Sequence, residues 1–265
     1  MIDIIGILTR TWLGVASPTP VQPAITTTVI ATPAAGSAAA AAAPNAATTV
    51  DNVQKFYANI KQVTAQFRQT VINQTFGSKK NSDGTVWLMK PGKMRWDYLE
   101  KKQQAVKVKK SFISNGSNLY LVEHDNMQVV KKNLQQDLMP VAVSFLYGKG
   151  DLKSEFNAAL DTSNKFGAKD EIVLKLTPKK PSAQYKNLFL VVNPTDYRVT
   201  QSVIIDSSNN TNHFRFYSPN FQKAFDAKWF EFDEKSVKNY RVVDADQQAA
   251  GSGSAVAPKA PAPKK

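Results

Sequence analysis

Two histidines, no cysteine and a dispersed set of carboxylates are what this 265-residue chain offers to acid–base, nucleophilic or metal chemistry. His124 sits beside a hairpin turn and His213 in a strand pattern, each alone in sequence. Paired-histidine metal spacing, a phosphate-cradling loop, a dinucleotide glycine fingerprint and a Gly-x-Ser-x-Gly elbow are all missing. Without cysteine there is no thiol nucleophile, disulfide, thiolate metal site or lipid-bearing Cys. Asp and Glu lie mostly next to Lys or in turns. The expectation is a protein that is not an enzyme and uses no metal, nucleotide or redox cofactor.

Apolar side chains gathered around one lysine are the alternative signal. In residues 82–98, "SDGTVWLMKPGKMRWDY", Val86, Leu88, Met94, Trp96 and Tyr98 share one parity, and Lys90 shares it too. The other parity holds Trp87, Met89, Arg95, Asp97 and Leu99. Alternation points Lys90 toward the apolar side of a sheet, unless Pro91-Gly92 inserts a bulge that resets the register. A lysine snorkelling from the rim of an ordinary core is the plain reading of that placement.

Periodicity gives the elements that position these groups. Thr48-Thr49 reads as a helix N-cap pair, and Val50, Val53, Phe56, Tyr57, Ile60 and Val63 form one helical stripe after it. From Ala65 the period becomes two, with Ala65, Phe67, Gln69 and Val71 on one side. "NGSNLYLVEHDNMQVV" reads as a turn, a strand, an Asp125-Asn126 turn and a second strand. "DEIVLKLTP", "KNLFLVVN", "DYRVTQSVIIDS" and "TNHFRFYSP" are four more strands separated by Pro-rich or Asx-rich turns. Residues 136–160 break the pattern and read as helical, with Gly148 and Gly150 ending one helix and Asp151 capping another. Short strands in sequence imply an antiparallel meander that curls as its twist accumulates, with the helices over one face.

Lys+Arg 34 against Asp+Glu 21 gives +13, a balance that suits nucleic acid, an anionic membrane or an acidic partner. The charge is scattered in pairs such as Lys101-Lys102, Lys109-Lys110, Lys131-Lys132 and Lys179-Lys180, the distribution of a solvated basic surface. No apolar run approaches the length of a membrane span. Residues 1–17 resemble an export signal with Asp3 in the n-region and Thr9-Arg10 interrupting the apolar run, which fits a mis-assigned start or a truncated signal and equally a segment that is not a signal. Residues 1–47 therefore divide into that signal-like stretch and an Ala/Pro/Thr-rich linker, 48–246 into the folded domain, and 247–265 into a disordered basic Pro/Ala tail.

The blocks "VTAQFRQTV", "SDGTVWLMKPGKMRWDY", "SFISNGSNLYLVEHDNMQVV", "MPVAVSFLYGKGDL" and "IVLKLTPKK" together resemble the outer-membrane lipoprotein carrier (LolA) family. The similarity runs over residues 53–246. Its most specific piece is G-x-[LV]-W-x-x-[KR]-P-x-x-[FM]-x-W, here Gly84 through Trp96. The resemblance implies a mainly β fold: an incomplete, strongly curved antiparallel β-barrel with an N-terminal helix and a mid-chain helical lid over an apolar cavity. It implies a soluble periplasmic chaperone, a monomer in a Gram-negative cell, that binds the acyl chains of lipoproteins. The implied partners are acylated lipoproteins, an inner-membrane lipoprotein-releasing ABC transporter and an outer-membrane acceptor, with no nucleic acid.

The same resemblance assigns Lys90 as a latch, hydrogen-bonded to carbonyls of a lid peptide that matches residues 140–146, with Val143, Phe145 and Leu146 as its apolar surface. Family members usually carry Arg at the Lys90 position and Phe at the Met94 position. Phe56, Ile60, Met94, Trp96 and Tyr98 are the expected acyl-chain contacts, static core being the plain alternative for each. The family's C-terminal Pro-Pro-x-Gly-Val-like element reads "FDEKSVKNY" here. Two rival functions stand beside the carrier: a same-fold lipoprotein sensor or anchored acceptor, and a basic β-barrel nucleic-acid-binding module.

Overall fold

Period-two patterning becomes strand almost wherever it occurs. The computed structural model describes residues 44–102, 105–134, 151–163, 165–182 and 185–247. Helix α1 (Ala46–Asn59) precedes β1 (Gln62–Asn73), β2 (Ser78–Met89), β3 (Lys93–Lys102), β4 (Ala105–Asn115), β5 (Asn118–Glu123) and β6 (Gln128–Asn133). A one-turn helix, α2 (Leu152–Glu155), leads into β7 (Phe156–Leu160), β8 (Ile172–Pro178), β9 (Asn187–Val192), β10 (Val199–Ile205) and β11 (Thr211–Asn220). Two 3₁₀ turns, Ala227–Phe230 and Glu234–Ser236, come before β12 (Arg241–Asp244).

All twelve strands form one sheet in the order β12-β6-β5-β4-β3-β2-β1-β11-β10-β9-β8-β7. Two antiparallel meanders, β1–β6 and β7–β11, are joined where β1 pairs with β11. Strand β12 departs from the expected meander by adding parallel to β6. Among the described residues the sheet is open, with β7 and β12 as its edges, and strongly curved, as the incomplete barrel implied by the resemblance would be. Twist accumulated over twelve strands curves it strongly around α1.

Two local expectations need correcting. The N-cap of α1 is Asn45, whose Oδ1 accepts from the Thr48 N–H at 2.8 Å. Thr49 lies one turn in and returns its hydroxyl to the Asn45 carbonyl at 2.7 Å, so the Thr pair is inside the helix. Asp151 does cap a helix, accepting from the Lys153 N–H, but that helix ends after one turn. Phe156–Leu160 is a strand, because pairing with β8 from Phe156↔Pro178 to Leu160↔Leu174 outweighs the helical propensity of its two alanines.

The concave core contains Val50, Val53 and Tyr57 of α1, Phe67, Leu88, Met94, Trp96 and Tyr98 of β1–β3, and Leu174, Leu176, Leu188 and Leu190 of β8–β9. At its centre the Phe67 ring meets Trp96 and Tyr98 edge-on, both at 5.0 Å, and Phe214 at 6.0 Å. It lies across Gly84, its partner on β2. A Cβ at Gly84 would fall 2.3 Å from the Asp97 carbonyl oxygen and 2.5 Å from the Phe67 ring. This explains the first residue of the Gly84–Trp96 motif: the glycine is the floor on which the ring rests.

The convex face has its own cover. The chain after β11 crosses it, packing Phe232 at a tilt on Tyr120 and Tyr240 edge-on to His124 before β12 joins β6. Under this cover Asp97 is buried, held by Arg95 Nε at 3.0 Å and the Ser111 hydroxyl at 2.7 Å. Further along the same face Val173, Phe189, Val191 and Val203 cluster under Phe166. His213 is buried there with Nε2 2.7 Å from Gln201 Oε1 and its ring 5.7 Å from that of Phe166.

Two stability measurements check this packing. Gly84→Ala should cost about 1–3 kcal/mol in urea unfolding, and Phe67→Leu in the same chain should recover part of that loss. Burial, reinforced by the Arg215 charge, pulls the His213 pKa down to about 4. Between that value and the ordinary histidine pKa of about 6.5 the unfolded chain binds the extra proton. Stability is therefore full above that window and falls by about 2–3 kcal/mol as pH drops through it, once partial solvent screening is allowed for. His213→Gln should flatten this part of the stability–pH curve.

Candidate functional site

Helix α1 ends inside the curve of the sheet, and its last turn is held there by a lysine from the β2–β3 loop and a backbone N–H of β10. Lys90 Nζ donates to the Tyr57 carbonyl and, at 3.3 Å, to the Ala58 carbonyl. The Tyr57 hydroxyl accepts from the Val199 N–H of β10 at 3.0 Å. The parity of residues 82–98 did point Lys90 to the apolar side. Residues 90–92 form the loop from β2 to β3, closed at Met89↔Lys93, so no register is lost along the strands. Partial burial pulls the Lys90 ammonium below its ordinary pKa, and burial pushes the Tyr57 phenol well above its own. A second tie fixes the middle of α1: Gln54 donates to Asp151 at 3.1 Å, and Asp51 pairs with Lys153 of α2.

Beneath this end of α1 lies a pocket of about 330 Å³. Its floor is two successive cross-strand pairs, Val63↔Leu88 and Ala65↔Val86, and Tyr57 roofs it. Phe216 and Phe221 close one side, and Arg198, Thr200 and Ser218 supply the polar lip. Two features open this space. Ala65 is the smallest side chain of the floor. Opposite it, the pairing of β1 with β11 slips between Thr64↔Asn220 and Gln66↔Tyr217, so Ser218 and Pro219 face one residue. Ser218 takes a positive φ of 48° to make this bulge. At the lip, Arg198 is paired with Asp196 at 2.7 Å.

The expected acyl-chain contacts fall on the concave side without lining this pocket. Met94, Trp96 and Tyr98 are buried in the core, with 1%, 5% and 8% of their surface exposed. Trp96 backs onto the pocket wall, its ring 6.2 Å from that of Phe216. Phe56 and Ile60 are partly buried at the end of α1, Phe56 edge-on to Phe221 at 5.5 Å. The expected partner of Lys90, the lid peptide 140–146 with Val143, Phe145 and Leu146, lies outside the described residues, and the carbonyls that Lys90 meets among the described ones belong to α1. Sequence reasoning missed Phe216, Phe221 and Val199. The Phe214/Phe216 alternation in "TNHFRFYSP" signalled the inward face of β11, but the turn to Phe221 carried no period.

Among the described residues no three His, Asp or Glu side chains converge on a point that could hold a metal ion. His124 Nδ1 lies 2.9 Å from the Tyr240 hydroxyl and His213 contacts Gln201, each a single polar contact between structural elements. No helix among the described residues is long and apolar enough to cross a membrane. The chemistry available at the pocket is reversible burial of an apolar group under a helix held by hydrogen bonds.

Comparison with known proteins gives a consistent family. A family model described as "Outer membrane lipoprotein carrier protein LolA" matches residues 58–233. An outer-membrane lipoprotein carrier protein from Dechloromonas aromatica is 25% identical over 187 residues, covering 70% of this chain and 84% of the relative. One from Chromobacterium violaceum is 29% identical over 137 residues, covering 52% of this chain and 61% of the relative. Among solved structures, a LolA superfamily protein from Nitrosomonas europaea aligns with a TM-score of 0.40 at 12% identity, over 72% of this chain and 99% of that one. An uncharacterised conserved protein from Thermus thermophilus aligns with 0.45 at 10% identity, over 75% and 98%. At these scores the sequence matches carry the assignment: the chain belongs to the outer-membrane lipoprotein carrier, or LolA, family.

Proposed function

We propose that this protein is a periplasmic, non-enzymatic carrier that takes the acyl chains of lipoproteins from an inner-membrane ABC transporter and delivers them to an outer-membrane acceptor. Residues 48–246 are the carrier domain in this reading, 1–47 an export signal and linker, and 247–265 a disordered tail. The observation that carries the proposal is the apolar pocket under the latched end of α1. Its volume of about 330 Å³ is at the small end for a ligand site. A lipid with several acyl chains would require α1 to lift, so the described arrangement is the closed state.

The energetics favour a carrier whose lid decides the exchange. Exposing an acyl chain to water costs about 0.8 kcal/mol per methylene, so release into water is negligible while transfer between two apolar sites is nearly balanced. Closing α1 contributes the Lys90 and Tyr57 hydrogen bonds and the burial of Val50 and Val53, which is a term of a few kcal/mol. A term of that size tips a balanced exchange without trapping the cargo. Met94, Trp96 and Tyr98 then serve as the rigid wall behind the pocket, and Phe56 and Ile60 move with the helix.

Mass spectrometry of the protein purified without detergent after periplasmic expression tests the reading. A stoichiometric acylated lipoprotein is expected to co-elute, and Ala65→Leu, which fills the pocket floor, should reduce it about tenfold with little change in unfolding temperature. Cargo-free protein that also fails to strip lipoprotein from spheroplasts would instead favour a sensor of the same fold. Lys90→Leu should accept lipoprotein normally but pass it poorly to a purified acceptor. Amides in the last turn of α1 should exchange faster in that variant, reflecting a loss of about 1–2 kcal/mol of local stability. Unimpaired delivery by Lys90→Leu would remove the latch from the mechanism.

A further inference from the structure

In the antiparallel run β1 to β6, the connections after β1, β3 and β5 all emerge at one end of the sheet. At that end the β1–β2 turn exposes Phe76 at 81%, the start of β4 exposes Val106 at 62%, and the β5–β6 turn exposes Met127 at 55%. These are three of the six large hydrophobic side chains that are exposed among the described residues, and neighbouring hairpins of one sheet stand roughly 10 Å apart. The β1–β2 hairpin projects furthest. Residues 78–82 of β2 still pair with β1 but lie beyond Asp83↔Leu99, the last rung that β2 shares with β3. Its turn is fixed by side chains: Asn73 Oδ1 accepts from the Phe76 N–H at 3.0 Å, and Asn210 Oδ1 accepts from the Gln74 N–H at 2.9 Å. Phe76 is thus held out in water by an ordered finger.

Charge surrounds these apolar ends. Lys79, Lys80, Lys101, Lys102, Lys107 and Lys109 are exposed on the same hairpins. Against them stand Glu100 and Asp125, which bridge to Lys102 and Lys109, leaving a surplus of four positive charges (six minus two). Separate apolar tips ringed by lysine do not make the contiguous dehydrated centre of a protein interface. They match a bilayer surface, where single apolar side chains enter the headgroup–acyl boundary and lysines remain with the phosphates.

We propose that this end of the sheet, led by Phe76 with Lys79 and Lys80, docks on the surface of a membrane rich in anionic phospholipid. The pocket lies at the opposite end, at the start of β1 and the finish of β2. A chain seated on its hairpins therefore keeps α1 and the pocket lip clear of the bilayer. Docking in this sense is independent of acyl-chain carriage, and lipid vesicles holding no lipoprotein suffice to test it.

The full chain would be sedimented with vesicles of phosphatidylglycerol mixed with phosphatidylcholine, and with vesicles of phosphatidylcholine alone. Binding is expected only to the anionic vesicles. It should fall about tenfold or more in Phe76→Ser and in Lys79→Glu/Lys80→Glu, and with added salt. The chain has no native cysteine, so Phe76→Cys takes a single polarity-sensitive dye. That dye should blue-shift on anionic vesicles, whereas the same dye at Asn157→Cys, on edge strand β7, should not. Equal binding by the hairpin variants, an unshifted dye at position 76, or tighter binding to polyglutamate than to vesicles would overturn the proposal. The last result would assign the surface to an acidic protein.

Discussion

The Tyr57 carbonyl at the end of α1 takes one hydrogen bond from its own chain, the Ile60 N–H, and a second from the side chain of Lys90. An α-helix leaves its last carbonyls without helical partners, and the accumulated partial charge at that end is negative. Most helices meet this by ending in water or by a glycine cap. Here the helix ends against its own core, and the donor arrives from a loop between two other strands, as the Lys90 ammonium. Val199 meets the same end through the Tyr57 hydroxyl. Remove those donors and the cheapest response of the chain is to lift the helix end into solvent, which uncovers the pocket beneath. In the proposed function, the hydrogen bonds that cap the helix are therefore the same ones that opening breaks: Lys90 on the two carbonyls and Val199 on the Tyr57 hydroxyl.

Much of this was legible in the alternation of residue types. Strands β5, β6 and β8 to β11 follow directly from period-two runs bounded by turn residues, and the shared parity of Val86, Leu88, Lys90, Met94, Trp96 and Tyr98 marked the side that α1 covers. Strand β7 was not legible because "FNAAL" is a good helix sequence in isolation. Its strand state is imposed by the hydrogen bonds that β8 has to offer. The parallel β12 was equally hidden, since "RVVD" is four residues long and its partner lies far back in the sequence.

The pocket itself was out of reach of such reasoning. Alternation says which face a side chain points to and nothing about whether the space there is filled. The void depends on a coincidence of two positions in different strands: a small residue at Ala65, and a bulge at Ser218–Pro219 that moves the wall of β11. Met94 and Trp96 sit on the same face in a part of the sheet where β1 to β3 pair without such a gap, and there the aromatic rings of Phe67, Phe214 and Tyr98 close up around them. The acyl-contact expectation thus selected the correct side and, for these residues, its packed portion.

In the proposed function the end of α1 lifts, and lysine at position 90 suits such a helix end. Arginine would offer a planar fork with donors fixed relative to one another, and two carbonyls in the right places would hold it firmly. An ammonium on a four-carbon stem has three rotatable donors and a compact, strongly hydrated charge. Its partial burial among Ile60 and Leu88 already costs hydration, as the lowered pKa shows. When the helix lifts, water replaces the two carbonyls around the ammonium with little penalty, so the closed state exceeds the open one by less than the hydrogen bonds alone would give. A carrier gains from that weakness, because cargo moving between two apolar environments is governed by the smallest term in the exchange. In the proposed function, the hold of Lys90 on the last turn of α1 is a term of that kind.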